Sequence, residues 1–550
     1  MQMDTQLPDV ETVFDSENMT QSPSKPGKGF HFWIVIGAIC SSLFLGALEL
    51  TAVSTALPTI VDSIPNFPPT DFVWVGSAYA LAGAAFLPMS GSFAQIFGRR
   101  PVMLFSLVMF GTGSVMCGAA KSRSLFIAGR TIQGLGGGGI LSLTNIILAD
   151  LVPLQERGVY NGLIGVTWSV AAAIGPVIGG ALASSGQWRW LFYLNLPICG
   201  IVLVFVGLFL RLPTPTTSFK EKISQFDWIG MFLIIAGCCA CIIALTWGGI
   251  TFAWTSAQVL APLCVGIFGI LMFTLFEWRI SSNPIVPSIL LSNRTTLSGY
   301  LQTFIIQAVL VSFIYYMPVY FQACKGASPT GSGVDLFGLA MTLSPISIIG
   351  GVSITVFNCY RPQLWFGWSL TVLAMGVIST LDSTSPRAMS IGFEVLAGAG
   401  MGIAYTGTFF PVLAPLSVES NAHAIGLGIF LRSFAQVWGI TICGTVLQNE
   451  LQANLPLEFF ELVPDSHALA YGAIAKVHSL PSPLRELVEE AFATSLKKVW
   501  LTLLGMSASG LLVSFAMRSY QLHTNLDKRW GVKQEEPNAD EESAGKGSKE

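Results

Sequence analysis

Charge is what this chain has least of. Lys, Arg, Asp and Glu make up 11% of its 550 residues, where a soluble globular protein carries about 25%. So little polar surface cannot cover a water-soluble fold, and the composition points to a polytopic membrane protein. A formal net charge of −3 offers nothing to a phosphate backbone, which excludes a nucleic-acid partner. Histidine is scarce as well. The five present form no ligand-like cluster, so no metal, no cofactor and no embedded enzyme is expected. The ten cysteines are scattered through apolar runs without zinc-type spacing. Cys238-Cys239-x-Cys241 is the one cluster, and in mid-helix it reads as small apolar packing. The first thirty residues, with Asp4, Glu11, Asp15 and Glu17, lack an apolar core, which argues for a disordered tail and against a cleavable signal peptide.

What the chain does have is long apolar runs. About fourteen windows, from Trp33–Leu57 to Val499–Met517, approach the roughly 20 residues that an α-helix needs to cross a bilayer. The fold class expected is all-α: a polytopic membrane protein of about fourteen transmembrane helices. An even number puts both termini on one side. The larger share of Lys and Arg, including Lys25, Lys28, Arg157, Lys220, Lys222, Arg279, Arg294 and Arg361, assigns that side to the cytoplasm, while Lys121 and Arg123 count against it. The sequons at Asn18 and Asn293 are then expected to be empty.

An internal repeat divides the chain. Adding 260 carries Pro58 to Pro318, Gly91 to Gly351 and Phe97 to Phe357; adding 264 carries Gly134, Gly136, Gly138, Gly175 and Gly180 to Gly398, Gly400, Gly402, Gly439 and Gly444. The expected organisation is a disordered cytoplasmic tail (1–30), a six-helix half (31–211), a linker with an inserted helix pair (212–293), a second six-helix half (294–520) and a disordered acidic tail (521–550). The second half carries a long outer loop at 448–496. Within it, Ser482-Pro483 can start a helix in which Leu484, Leu487, Val488, Ala491 and Phe492 share a face. A surface lid and a plain connector both fit.

Several motifs carry a resemblance. Arg130 with Gln133-Gly134-x-Gly136, and Gly175-Pro176-x-x-Gly179-Gly180, resemble two signatures of the major facilitator superfamily, the second typical of its antiporters. Trp188-Arg-Trp-Leu-Phe-Tyr-Leu-Asn-Leu-Pro197 is similar to the superfamily's fourteen-helix drug:proton antiporter branch, known from fungal and bacterial multidrug and toxin exporters. Leu48-Glu49-Leu50-Thr51 through Leu57-Pro58 resembles that branch's first-helix motif, with glutamate where aspartate is usual. Gly91 to Pro101, with Gly98, Arg99 and Arg100, resembles the loop between the second and third helices. Gln95 stands there in place of the usual aspartate, which weakens a charged latch and leaves Arg99 and Arg100 readable as topology signals alone.

Counting places the membrane charges. Glu49 lies about 16 residues, or roughly 24 Å, above Trp33, and Arg130 is about 9 Å down a helix descending from outside. At comparable depth, pairing relieves the cost that each bears alone. Burial and a neighbouring guanidinium pull a carboxyl's proton affinity in opposite directions. Glu49 as proton carrier with Arg130 as modulator is thus one reading, and a static register-fixing pair is the other. The repeat sets Glu394 opposite Arg130, as a second proton site, an attractor for a cationic substrate, or a carboxyl that snorkels outward.

Gln133, Asn145 and Gln307 are candidate polar groups of a central cavity, which the resemblance implies is lined by the first and fourth helices of each half; helix-to-helix hydrogen bonding explains each of them as well. Arg432 resembles a branch feature, its partner unassigned. The glycines of Gly175-Pro176-Val-Ile-Gly179-Gly180 are expected to form a flat face towards the opposite half, with Pro176 bending the helix. The dinucleotide-like spacing Gly134-x-Gly136-x-x-Gly139 lacks a preceding strand and is set aside.

The function expected is proton-coupled export of small apolar organic compounds, such as drugs, toxins or secondary metabolites, by a monomer in the plasma membrane, or alternatively the vacuolar membrane. A same-fold carrier of siderophores or amino acids is the runner-up, and a non-transporting receptor is more distant. Partners are the substrate, protons and the lipid bilayer.

Overall fold

The computed structural model describes residues 29–65, 72–210, 220–221, 226–248, 252–327, 329–462, 477 and 480–522. The expected tails, the Asn18 sequon, most of the 212–226 linker and residues 463–476 of the outer loop lie outside the described residues, as does the side chain of Pro176.

Among the described residues the helices of 18 residues or more are, in order, α1 Phe30–Ser63, α2 Phe72–Phe97, α3 Arg99–Gly118, α4 Arg123–Leu151, α5 Arg157–Ser184, α6 Arg189–Phe209, α7 Trp228–Trp247, α8 Ala257–Arg279, α9 Arg294–Lys325, α10 Phe337–Phe357, α11 Arg361–Ile378, α12 Arg387–Gly407, α13 Asn421–Asn454 and α14 Leu484–Ser514. Eleven spans are apolar enough to cross a membrane, or twelve if α2, bent by 57° between Ala78–Leu87 and Met89–Phe97, counts as one. Among the described residues the apolar count thus reaches at most twelve, and the expected fourteen is not confirmed. Polar side chains mark helix starts where the chain turns: Ser122 accepts from Leu125 N, Asp227 from Gly230 N, and Asn293 from Thr295 N. Lipid-facing positions are apolar, with Phe232, Val356 and Leu512 all about 70% exposed, as an apolar solvent requires.

The two sets of six repeat their packing. In the first, α1 packs on α5 and α6, α2 on α4, and α3 on α4 and α6; in the second, α9 packs on α13 and α14, α10 on α12, and α11 on α12 and α14. Glycine explains the closeness. A Cβ at Gly138 of α4 would lie 2.6 Å from the Gly83 carbonyl oxygen of α2, and one at Gly402 of α12 would lie 2.6 Å from the Leu343 carbonyl oxygen of α10. Gly83 and Leu343 are 260 apart, Gly138 and Gly402 264 apart. The same offsets relate the contacts between sets: Gly91 of α2 meets Ala422 of α13, and Gly351 of α10 meets Gly158 of α5, with a Cβ 2.7 and 2.6 Å from the facing carbonyl oxygens.

Those crossings lie at the end of the bundle that carries the Gly98 turn. There one hydrophobic core joins both sets and the inserted pair through Leu87, Met103, Ile147, Ile234, Ile285, Ile354, Leu413 and Ile425. At the opposite end each set has its own core, Ala56, Phe126, Trp188 and Phe192 in one, Phe313, Trp368, Phe492 and Trp500 in the other. The bundle is closed at the Gly98 end and divided at the other.

The inserted α7 and α8 pack on each other, and α7 also touches α2 and α13. Only 17% of α8's apolar window is buried, against 72% for α4, so the pair stands at the periphery. All ten cysteines are described and free, with Cys238 and Cys241 buried. The Leu484–Phe492 segment is neither of the two alternatives, a surface lid or a plain connector. It is the start of α14, with Leu484, Val488, Ala491 and Phe492 buried in the second set's core; their helical period simply runs on into the last span.

Gly351→Val would drive a side chain into the Gly158 backbone, an overpacking cost of about 1–3 kcal/mol, and should hold α5 and α10 apart. Thr355 Oγ1 donates to the Gln155 carbonyl at 2.6 Å across the same contact. Cysteines placed at 155 and 355 should therefore cross-link in the parent and markedly less in Gly351→Val; equal cross-linking would refute this contact.

Candidate functional site

Arg130 is the centre of the first set. Its Nη1 donates to Glu49 Oε1 of α1 at 2.7 Å and to Gln133 Oε1, one turn along α4, at 2.7 Å. Asn195 of α6 donates to the other Glu49 oxygen at 2.5 Å. Gln133 Nε2 donates to Ser114 Oγ of α3 at 2.8 Å, and the guanidinium lies 4.6 Å from the centre of the Tyr79 ring of α2. Five helices thus contribute to one buried cluster, whose central ion pair has both members 1–2% exposed. The glycines of α4 make room for it. Gly134 lies against the Tyr79 backbone and Gly137 against its hydroxyl, while Gly136 and Gly139 accept Ser106 and Phe110 of α3. Charge with charge, and each leftover donor with an oxygen, is the arrangement that makes burial of ions tolerable.

The other candidates are distributed differently. Gln133 belongs to this centre. Asn145 is half-buried and donates to its own helix at Leu141 O, 2.9 Å, while Gln307 of α9 is buried with its Oε1 unpartnered. Glu394 of α12 is fully buried, and its carboxyl meets the Leu339 backbone of α10 without a well-formed hydrogen bond. Arg432 of α13 finds the partner that sequence left unassigned in a carbonyl and two rings. It donates to Tyr405 O at 2.5 Å and stacks over Tyr405 and Phe409 at 3.9 and 4.2 Å.

The expectation that Gly175 faces the opposite set is corrected. Gly175 packs on Thr51 and Ala52 of α1, within its own set, and its counterpart Gly439 packs on Ala308 and Ser312 of α9. The contact of α5 with α10 runs instead through Gly158, Gly162 and a Ser169–Ser344 hydroxyl pair. Gly175 is about 100° round the helix from Gly158 at 3.6 residues per turn, so one helix serves two neighbours. Gly179 is buried, and Gly180 faces open space.

At the Gly98 end, Gly98 has φ +93°, which favours glycine at the tight turn into α3. Arg99 is more than a topology signal: buried, it pairs with Asp150 of α4 at 2.8 Å and donates to Ala94 O at 2.9 Å. Arg100 donates to the Gly207 carbonyl of α6. Gln95 reaches across the sets, donating to Glu419 O at 3.2 Å, with its Oε1 3.0 Å from His423 Nε2. His423 Nδ1 is 3.1 Å from Ile285 O, in a loop whose N–H groups Glu277 holds through Ile285 and Val286. A cleft of about 350 Å³ lies here between α2, α7 and that loop. In the turn between α11 and α12, outside the membrane segments, the Ser385 and Thr384 hydroxyls donate to Asp382 and keep its carboxyl below the usual carboxylate range.

Sequence reasoning missed Asn195, Ser114, Tyr79, Asp150 and His423. Asn195 lay inside the Trp188–Pro197 stretch, and a buried amide one helix from a lone carboxylate was the available signal.

The family model described as Major Facilitator Superfamily matches residues 39–440. "Efflux pump FUS6" of Gibberella fujikuroi is 37% identical over 542 residues, 97% of each chain. The "Acurin A biosynthesis cluster MFS-type transporter" of Aspergillus aculeatus is 33% identical over 522 residues, covering 93% of this chain and 94% of that one. Among solved structures, the proton:xylose symporter XylE superposes with a TM-score of 0.57 at 12% identity, over 90% of this chain and 98% of its own, a likeness of fold.

Arg130→Ala leaves the Glu49 carboxylate buried without its cation and should cost about 3–5 kcal/mol. The double variant Glu49→Gln/Arg130→Gln should lose clearly less than the sum of its single variants, because paired groups are not additive. Unfolding of the purified protein measures both, and additive losses would refute the pairing.

Proposed function

The chain belongs to the major facilitator superfamily, and from that premise we propose that it exports small, largely apolar organic compounds, driven by protons. As a member of this family it is a multi-pass membrane transporter. The export direction is supported by two relatives of similar length, one named an efflux pump and the other assigned to a biosynthesis cluster. A secondary metabolite or toxin is therefore the substrate class proposed.

The observation that carries the proton coupling is the buried Glu49–Arg130 pair. A proton added to Glu49 cancels its charge and leaves Arg130 as a buried cation without a counter-ion, which is expensive in low dielectric. The arrangement in which Arg130 finds water or another partner is then favoured, and loss of the proton restores the pair. A ligand that binds two conformations unequally shifts their balance. Here the proton is that ligand. Asn195 and Gln133 hold the carboxyl and the guanidinium in register meanwhile.

The halves 31–211 and 294–520 are proposed to rock about the α2·α13 and α5·α10 contacts, the usual economy of repeated transporters. With both termini in the cytoplasm, the Gly98 end is the inner one and this conformation is closed to the cytoplasm. Asn145 and Gln307 are the polar groups proposed to meet substrate, and Gln133 serves the ion pair. The proposed site of action is the plasma membrane, with the protein as a monomer and no enzymatic step.

Glu49→Gln tests the coupling in proteoliposomes loaded with a fluorescent lipophilic cation. An imposed pH gradient should drive export by the parent and none by the variant. Undiminished gradient-driven export by Glu49→Gln would overturn the reading. For the substrate class, deletion of the gene should raise a retained metabolite at the expense of the secreted one.

A further inference from the structure

Glu394 is the buried ionisable group that the pair at Glu49 leaves unexplained. It occupies the place in α12 that Arg130 occupies in α4, 264 residues earlier. The positions that repeat Glu49, 260 and 264 residues on, are Val309 and Phe313, both buried and apolar. The second set thus reproduces one ionisable position without its counter-charge.

Among the described residues no nearby cation takes over. Arg387, two turns towards the start of α12, is held by Asp335 through Nε at 2.9 Å and Nη2 at 2.7 Å. Lys325 donates to the Ser383 carbonyl at 2.6 Å and lies 5.5 Å from the Tyr320 ring centre. Arg432 is engaged at the other end of α12 with Tyr405 and Phe409. An ionised carboxylate with no cation and no more than a weak backbone donor at Leu339 is a costly state for a buried side chain, and addition of one proton removes that cost.

We propose that Glu394 is a second proton-binding site, in the C-terminal half, neutral in this conformation and loaded from the Arg387–Asp335 end of the bundle. The step is the formation of one O–H bond at a Glu394 carboxyl oxygen, with the proton taken from water on that side. The approach is short. Arg387 is half-exposed and Asp335 lies just beneath it. Gly338, one turn after Asp335, lies directly against the carboxyl, a Cβ there falling 3.0 Å from Glu394 Oε2. The ionisable groups facing Glu394 from its neighbours are Asp335 ahead of α10, Tyr320 of α9, whose hydroxyl is 3.5 Å from Ser390 Oγ, and Arg387 of α12 itself. α11 and α5 carry their titratable groups, Arg361, Arg157 and Tyr160, only in their first turns at the Gly98 end. With one proton site per half, a transport cycle can move two protons. This extends the coupling proposed above, but its test needs no transport.

Infrared spectroscopy of the full-length protein in lipid, near neutral pH, reads the C=O stretch of protonated carboxyls. The band expected for a buried neutral acid should be present in the parent, lost in Glu394→Gln and retained in Glu49→Gln, whose target is ion-paired. Because glutamine replaces a neutral acid of the same shape, Glu394→Gln should also melt as the parent does. Absence of any protonated-carboxyl band in the parent, or its persistence in Glu394→Gln, would overturn the proposal. So would a Glu394→Gln protein that fails to fold or melts as early as Arg130→Ala, the mark of a lost ion pair. Loss of gradient-driven export in Glu49→Gln bears on the first site only, so the two readings fail separately.

Discussion

Inside a bilayer, apolar side chains gain nothing by leaving lipid for one another, so helices associate by how closely their backbones can approach. The structure depends on that constraint throughout. Gly138 against Gly83, Gly402 against Leu343, Gly91 against Ala422 and Gly351 against Gly158 each bring a backbone where a methyl group would not fit. The first two contacts build the two sets of helices. The last two join the sets, and they do so only at the end with the Gly98 turn. Because each contact recurs at the repeat offset, one kind of joint is used for the inside of a half and for the boundary between halves.

The same glycines create the conditions for the ion pair. Room cleared on α4 lets Tyr79, Ser106 and Phe110 come close, and a site that dry makes the mutual need of Glu49 and Arg130 large. Packing and charge are therefore not separate features of α4. Glycine on two faces and a cation on a third are one device.

Much of this was legible in the sequence wherever the quantity was one-dimensional. Long apolar runs placed the helices, an offset revealed the repeat, and counting residues put Glu49 and Arg130 at one depth. What was not legible was azimuth. Gly175 turns to α1 and Gly158 to α10 although both lie on α5, and spacing alone did not separate the two faces. Asn195 sat unremarked in a recognised stretch because its direction towards Glu49 depends on where α6 lies. Boundaries failed for a related reason at Leu484, where a helical period begun in a supposed loop continues without a break into α14.

Gln95 stands where the loop motif it resembles has an aspartate, and its reach to Glu419 and His423, with Ile285 beyond, runs through carbonyl, amide and imidazole groups. Uncharged dipoles of this kind fall off steeply with distance and attract no ion atmosphere. Ionic strength, which weakens a fastening made of opposite charges, has little purchase on this one. The strength of this clasp is instead set by alignment, and Ile285, held by Glu277 of α8, ties that alignment to the peripheral helix pair.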